Sequence, residues 1–303
     1  MAFSLAHFSD PHLGPMPKGA VLRDFAFKKI IGAASWHMNR KHHHLPEIAI
    51  ALRADILAAD ADHIAFTGDL VNISSAAEFD QGLQWLKGFG ASDFVSFTPG
   101  NHDAYVALPP AKGLGKFASY MTNEAANDLS FPFIRLRRNV ALIGINAACP
   151  QFLLGAGGTV GTEQLHKLGS SLKALRDRGF YRLVMIHHPP APGLTTPIRS
   201  LSDAEELAAV LMKHGAELVV HGHNHERSFT ELSSEVGKIP VIGVPSASMA
   251  PGGHHPAAAW NRYDIERHKG TWKTHVRIRN WNAEEKSFID GDSFTLEAAS
   301  LHK

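Results

Sequence analysis

Asp10, His12, Asp69, Asn101, His102, Asp103, His187, His188, His221, His223 and His225 fall into five polar clusters, and each cluster follows a short apolar run. Aspartate, asparagine and histidine without cysteine make a mixed nitrogen and oxygen ligand field. Such a field suits Mn, Fe, Zn, Co or Ni better than Ca or a thiolate zinc site. The set also exceeds what one tetrahedral ion takes. Two ions about 3.5–4 Å apart, sharing one carboxylate, would use it and could neutralise a phosphoryl transition state. Histidine usage points the same way. There are 20 His among 303 residues but four Tyr and five Trp, so the excess is not a general aromatic bias. Imidazole is the commonest metal ligand and titrates near neutral pH.

Taken singly, each cluster has a plainer reading. Asp10-Pro11-His12 reads as a turn, Gly68-Asp69 is common after any strand, and Gly100-Asn101-His102-Asp103 suits an Asn-type turn. His187-His188 at the end of an apolar run reads as a pair of satisfied core histidines. Gly222-His223-Asn224-His225 is sharper, because alternate residues of an extended chain project to the same side. Together and in this order, they specify a site.

The elements that must position these residues are also legible. Phe3 to Ser9, His63 to Thr67, Phe94 to Thr98, Val140 to Ile145, Arg182 to Ile186, Glu217 to Val220 and Ile239 to Val244 read as buried strands. Helical spacing covers Pro46 to Ala59, Gln164 to Arg176 and Asp203 to His214. Ser202 and Glu205 predict a capping box, and Gly215 a terminating glycine. The segment from Trp260 to Leu296 alternates and predicts antiparallel strands. Strand and helix alternation gives an α/β fold, and ligand sites in such sheets form at the carboxyl ends of strands. With no internal repeat and no Pro/Ser-rich linker, residues 1–303 are expected to form one domain.

In this order the motifs resemble those of the calcineurin-like metallophosphoesterase superfamily, whose signature is D-x-H, G-D, G-N-H-[DE], H and G-H-x-H. Every element is present between residues 10 and 225. The resemblance implies a four-layer α/β/β/α sandwich with a binuclear metal site at the carboxyl ends of the strands. It implies that Asp10, His12 and His225 hold one ion, that Asn101, His187 and His223 hold the other, and that Asp69 bridges them. His102 would serve the leaving oxygen, with Asp103 orienting it, as in a familiar His–Asp acid pair. His188 and His221 would stand behind the ligands or be structural. The ions would be divalent or mixed-valence transition metals, with a bridging hydroxide as nucleophile.

Departures from other branches narrow the resemblance. Purple acid phosphatases have D-x-G and a Tyr three residues after the bridging Asp; here His12 and Asn72 stand there. Serine/threonine phosphatases have G-D-x-V-D-R-G and G-N-H-E; here Ile73 follows Asn72 without an Arg, and the third motif ends in Asp103. The remaining resemblance is to the bacterial phosphodiesterase branch, including class III cyclic nucleotide phosphodiesterases. His187-His188-Pro189-Pro190 and the text from Gly243 to Ser248 also look like it. The expected reaction is hydrolysis of a small phosphodiester. The rivals are a lipid-linked or nucleotide-sugar pyrophosphohydrolase of the UDP-2,3-diacylglucosamine type, and a non-catalytic scaffold, against which the intact ligand set argues.

Charge and composition set further bounds. Lys plus Arg is 30 and Asp plus Glu is 29, so no nucleic-acid partner is expected. The single cysteine, Cys149, excludes an intrachain disulfide and suggests a reducing compartment. No signal peptide or transmembrane run is recognisable, so a cytoplasmic protein is expected. One segment stands outside the compact pattern. Lys18 to His44 carries Lys18, Arg23, Lys28, Lys29, Arg40 and Lys41 against Asp24 alone, interleaved with Phe25, Phe27, Ile30, Ile31, Trp36 and Met38. This insertion, at about 15–45, reads as a solvated surface helix, a cap recruiting an anionic or lipid-bearing ester, or an interfacial helix in peripheral contact with a membrane. His42, His43 and His44 are not expected to form a metal site, since adjacent helical residues point different ways.

Overall fold

The first apolar run forms β1 (Phe3–Phe8), buried along its whole length. A strand buried on both faces needs a sheet covered on both sides. The computed structural model describes residues 2–23, 26–123, 129–152 and 155–298. In it β1 pairs in parallel with β2 (His63–Phe66), which pairs in parallel with β3 (Val95–Phe97). On its other side the tail adds three antiparallel strands, β10 (Ala259–His268), β11 (Thr271–Asn282) and β12 (Ser287–Ala298). The second six-stranded sheet runs β4 (Phe133–Arg137), β5 (Val140–Gly144), β6 (Tyr181–Met185), β7 (Leu218–His221), β9 (Gly237–Gly243), β8 (Ser228–Ser234). Its central strands β5, β6, β7 and β9 are parallel.

The two sheets share a core in which Leu5, Tyr263 and Val276 of the first meet Leu142, Leu183 and Val220 of the second. On the outside of the first sheet lie α3 (Pro46–Ala58) and α4 (Ala76–Lys87), with Leu52, Ile56 and Trp85 against Phe8, Phe66 and Phe97. On the outside of the second lie α5 (Thr162–Asp177) and α6 (Ala204–His214), with Leu168, Leu172 and Leu211 against Ile143, Val184 and Val219. Each such large side chain contributes about 1.5–3 kcal/mol of burial. The result is the four-layer α/β/β/α sandwich expected from the motifs.

Some expectations are corrected. The N-cap of α6 is Asp203 and the Ser202/Glu205 box does not form. The Asp203 carboxylate instead accepts from the Val160 and Gly161 N–H groups. A capping box does form at α4, between Ser75 and Glu78. The solvated basic helix is also revised. Ala20–Arg23 (α1) and Phe27–Met38 (α2) are helical, but α2 turns Lys28, Lys29, Ala33 and Trp36 inward. Lys28 Nζ donates to the Gln151 carbonyl at 2.9 Å and lies 4.2 Å from the Tyr105 ring centroid. The exposed side is apolar instead, carrying Phe27, Ile30 and Met38. Asp24, Phe25 and the Arg23 side chain lie outside the described residues.

Candidate metal centre

The chain leaves β1, β2 and β7 through unusual backbone. Asp10, His12, Asp69, His223 and His225 all have φ between 39° and 68°, half of the ten non-glycine residues with positive φ among the described residues. Such conformations cost on the order of 1–3 kcal/mol each and persist where surroundings impose them. Here the imposition comes from close packing of the loops. A side chain at Gly222 would overlap Ser9 and Asp10, and Gly68, at φ +90°, lies against Gly100 and the His187 ring.

The candidate ligands converge in two groups. His12 Nε2 and His225 Nε2 are 3.2 Å apart, and His225 Nε2 is 3.2 Å from Asp10 Oδ1. His187 Nε2 is 3.2 Å from both Asn101 Oδ1 and His223 Nδ1. Asp69 Oδ2 lies between the groups, 3.7 Å from His12 Nε2 and 3.4 Å from His187 Nε2. Ligands at about 2.1 Å from one ion stand roughly 3–3.5 Å apart, so these separations fit shared coordination.

Hydrogen bonding shows which atoms face inward. His187 Nδ1 lies 2.6 Å from the Thr67 carbonyl and His223 Nε2 lies 3.0 Å from the Arg199 carbonyl. A carbonyl only accepts, so each of these nitrogens carries the hydrogen and the opposite nitrogen has the lone pair. Those two lone pairs point at each other, with the Asn101 oxygen and the Asp69 carboxylate beside them. Only a positive charge reconciles four such donors. The carboxylates are aimed likewise. Asp69 Oδ1 is held by the His102 N–H at 2.7 Å and Asp10 Oδ2 by the His223 N–H at 3.0 Å, which leaves one oxygen of each facing the centre. Asp10 Oδ1 is buried with no hydrogen-bond partner. Burial holds His12 and His223 well below 6.5, hence neutral and able to ligate. Burial opposes protonation of His187 too, but without a cation Asp69 and Asp10 lift it to about 9, so a proton then occupies the Nε2 lone pair that a metal would take. The residues fit a pair of cations, and binding there would displace a proton.

His102 sits beside this centre, its ring 4.9 Å from that of His12. Its Nδ1 donates to the Asn72 carbonyl at 2.6 Å. The expected orienting by Asp103 is therefore corrected. The Asp103 carboxylate accepts from the N–H groups of Asp69, Leu70, Val71 and Gly100 at 2.8–3.1 Å, and so shapes the loop that carries Asp69. His188 backs the ligands, its ring 4.4 Å from that of His223. His221 packs below them, its Nδ1 3.0 Å from the Gly222 carbonyl.

Two side chains that sequence reasoning did not assign to the centre come from the insertion. Arg40 Nη1 stands 3.0 Å from His102 Nδ1. Both are donors when Nδ1 serves Asn72, so this contact satisfies neither, and no carboxylate among the described residues pairs with Arg40. His44 is buried beside His12 and His225. With Arg199, these residues line a pocket of about 380 Å³ over the centre, near the lower end for small-molecule sites. The run of basic residues carried a charge signal, but only the fold brings its end onto the strand termini.

Comparison with known proteins places this arrangement. Residues 3–227 match the calcineurin-like phosphoesterase family, and the chain belongs to that family. A probable cyclic nucleotide phosphodiesterase from Synechococcus sp. (strain WH7803) is 28% identical over 99 residues, 32% of this chain and 37% of that protein. The match thus spans little more than a third of that relative's length. The crystal structure of a dimetal phosphatase from Danio rerio shares the fold, with a TM-score of 0.66 and 13% identity over 98% of this chain and 99% of that one. NAD nucleotidase from Haemophilus influenzae has a TM-score of 0.51 and 12% identity over 96% of this chain, and the match covers 54% of its own chain. No helix among the described residues is long and apolar enough to cross a membrane.

Proposed function

We propose that the chain is a binuclear metal-dependent phosphodiesterase acting on a small phosphodiester. The observation that carries this reading is the position of Asp69 Oδ2 between two groups of inward-facing donor atoms. Asp10, His12 and His225 would hold one ion, and Asn101, His187 and His223 the other. Two such ions, when bound, supply a hydroxide nucleophile at neutral pH and charge that neutralises the phosphoryl transition state. The chain's own contribution is placement. His102, its ring fixed through Nδ1 by Asn72, lines the pocket, where its other ring nitrogen would hand a proton to a leaving alkoxide or hold charge there. Arg40 adds a cation on the same side. The resemblance at the motifs and the similarity to the probable cyclic nucleotide phosphodiesterase of Synechococcus support a diester over a monoester.

The test is metal analysis with a substrate panel. Purified protein should carry close to two transition-metal ions per chain. It should hydrolyse bis-p-nitrophenyl phosphate or a cyclic nucleotide faster than p-nitrophenyl phosphate, and lose that activity in chelator. Preference for UDP-diacylglucosamine would favour the pyrophosphohydrolase reading instead.

A second reading concerns the face of α2. Phe27, Ile30 and Met38 are exposed on one side of that helix, 62%, 41% and 69% respectively, close to the segment that supplies Arg40. This face suits the apolar part of a lipid-bearing ester or a bilayer surface. Cosedimentation with anionic vesicles, lost on Phe27→Ser with Met38→Ser, tests it; no sedimentation of the wild type would discard it.

A further inference from the structure

The run His42-His43-His44 and the segment Pro245-Ser246-Ala247-Ser248 have no part in the mechanism above, and the fold brings them together. The Leu45 N–H donates to the Ser248 carbonyl at 2.9 Å and the Ala250 N–H to the His43 carbonyl at 2.7 Å. Residues 43–45 are thereby pinned along the loop that follows β9. The His44 side chain turns inward and is 4% exposed. Its Nδ1 lies 2.9 Å from Ser248 Oγ and 3.2 Å from Ser246 Oγ. Both hydroxyl hydrogens are already engaged: Ser248 Oγ donates to the Pro11 carbonyl at 2.7 Å and Ser246 Oγ to the Asp10 carbonyl at 2.6 Å. Each serine can then only accept from the ring, so Nδ1 carries the hydrogen and Nε2 the lone pair. The ring centroid is 4.5 Å from that of His12 and 5.4 Å from that of His225. One ring nitrogen from each of the three lies within 4.8 Å of the others. Opposite ligands of one ion stand about 4.2 Å apart, so a shift of a few tenths of an ångström closes this set on a cation.

We propose that His44 is a further protein ligand of the ion held by Asp10, His12 and His225, with Ser246 and Ser248 fixing its ring. This rests on the two-ion reading. An imidazole whose Nδ1–H is held by oxygen acceptors and whose Nε2 keeps its lone pair is in the form that ligates metals. The first ion would then have three imidazoles and the second two. That difference favours a nitrogen-preferring cation such as Zn, Co or Ni at the first position over Mn.

Equilibrium dialysis with Co(II), combined with the visible spectrum, tests this on the full chain. Wild type should bind two ions. His44→Ala and His44→Gln should each weaken one of the two affinities by at least 10–100-fold, roughly what even a lost supporting hydrogen bond costs a metal site. Their spectra should change, and added imidazole should partly restore the alanine variant. His42→Ala, at an exposed position, should match wild type. X-ray absorption on the wild-type zinc form, which needs no variant to fold, should count five imidazoles shared by two ions and not four. Unchanged affinities and spectra in both His44 variants, with four imidazoles counted, would overturn the inference. Wild type binding fewer than two ions would instead overturn the two-ion reading beneath it.

Discussion

At the scale of single residues, the centre is defined by where lone pairs point. Among the described residues, Asp69 is the only carboxylate whose one oxygen lies within 3.7 Å of donor nitrogens from both groups. Asp69→Ala should therefore lose both ions and all phosphoesterase activity, since two cations would face each other without a shared anion. Elemental analysis that still finds two ions would refute this. His102 makes a different prediction. Its ring is held by a carbonyl and not by a carboxylate, so His102→Ala should leave metal content near wild type. Turnover should fall by roughly 10²–10⁴-fold for an alkoxide leaving group. The loss should be smaller for p-nitrophenolate, which leaves without a proton. Equal losses for both would assign His102 to charge stabilisation alone.

At the scale of elements, the turn into α4 links helix capping to the centre. Glu78 is buried, and its carboxylate accepts from the Asn72 N–H at 2.9 Å, the Ser75 N–H at 2.9 Å and Ser75 Oγ at 2.9 Å. The same Asn72 offers its carbonyl to His102. Glu78→Ala should cost about 1–3 kcal/mol, the penalty for orphaned buried donors, seen as a lower urea midpoint. It should also lower turnover with no change in bound metal; unaltered turnover would separate the cap from the ring it supports. The insertion makes a contrasting case. Arg40 faces His102, whereas Lys41 is exposed. Arg40→Ala should raise KM for an anionic substrate severalfold and Lys41→Ala should not, and equal effects would mean that only general surface charge matters.

At the scale of the molecule, the sandwich buries many imidazoles away from the centre. His7 bonds Thr67 at 2.9 Å and is held by burial at about 3; His63 bonds Ser96 at 2.8 Å and is held well below 6.5 by burial. A folded-state value below the unfolded one means that the unfolded chain binds more protons as pH falls. Stability contributed by the neutral rings is therefore full above about pH 6.5 and is lost as pH drops toward the folded-state values. Each fully uncompensated histidine costs about 1.4 kcal/mol per pH unit in that window. Urea midpoints of the metal-free protein should fall steadily from pH 7 to pH 5, less steeply in His63→Gln. A midpoint independent of pH would show that these rings are not buried neutral.

The alternation of apolar runs with helical spacing sufficed for the α/β class, the seven main strands and the three helices named from it. The ordered motifs sufficed for the family, because each ligand sits at a strand end that β-sheet geometry must place at one rim. What failed was local. β8 carries Phe229 and Leu232 but no fully buried residue, and at α4 Ser75 and Glu78 form a capping box, whereas the similar pair at Ser202 and Glu205 makes none. A capping pair is a weak, short-range preference that tertiary contacts override. Asp103 was legible as a site residue but not in its role, because four backbone N–H groups compete for it only once the loops meet. Arg40 and His44 needed the fold entirely. Residues 25 or more apart in sequence from every candidate ligand carry no spacing signal, and it is the pinning of residues 43–45 along Ser248 and Ala250 that brings the end of a basic run beside the centre.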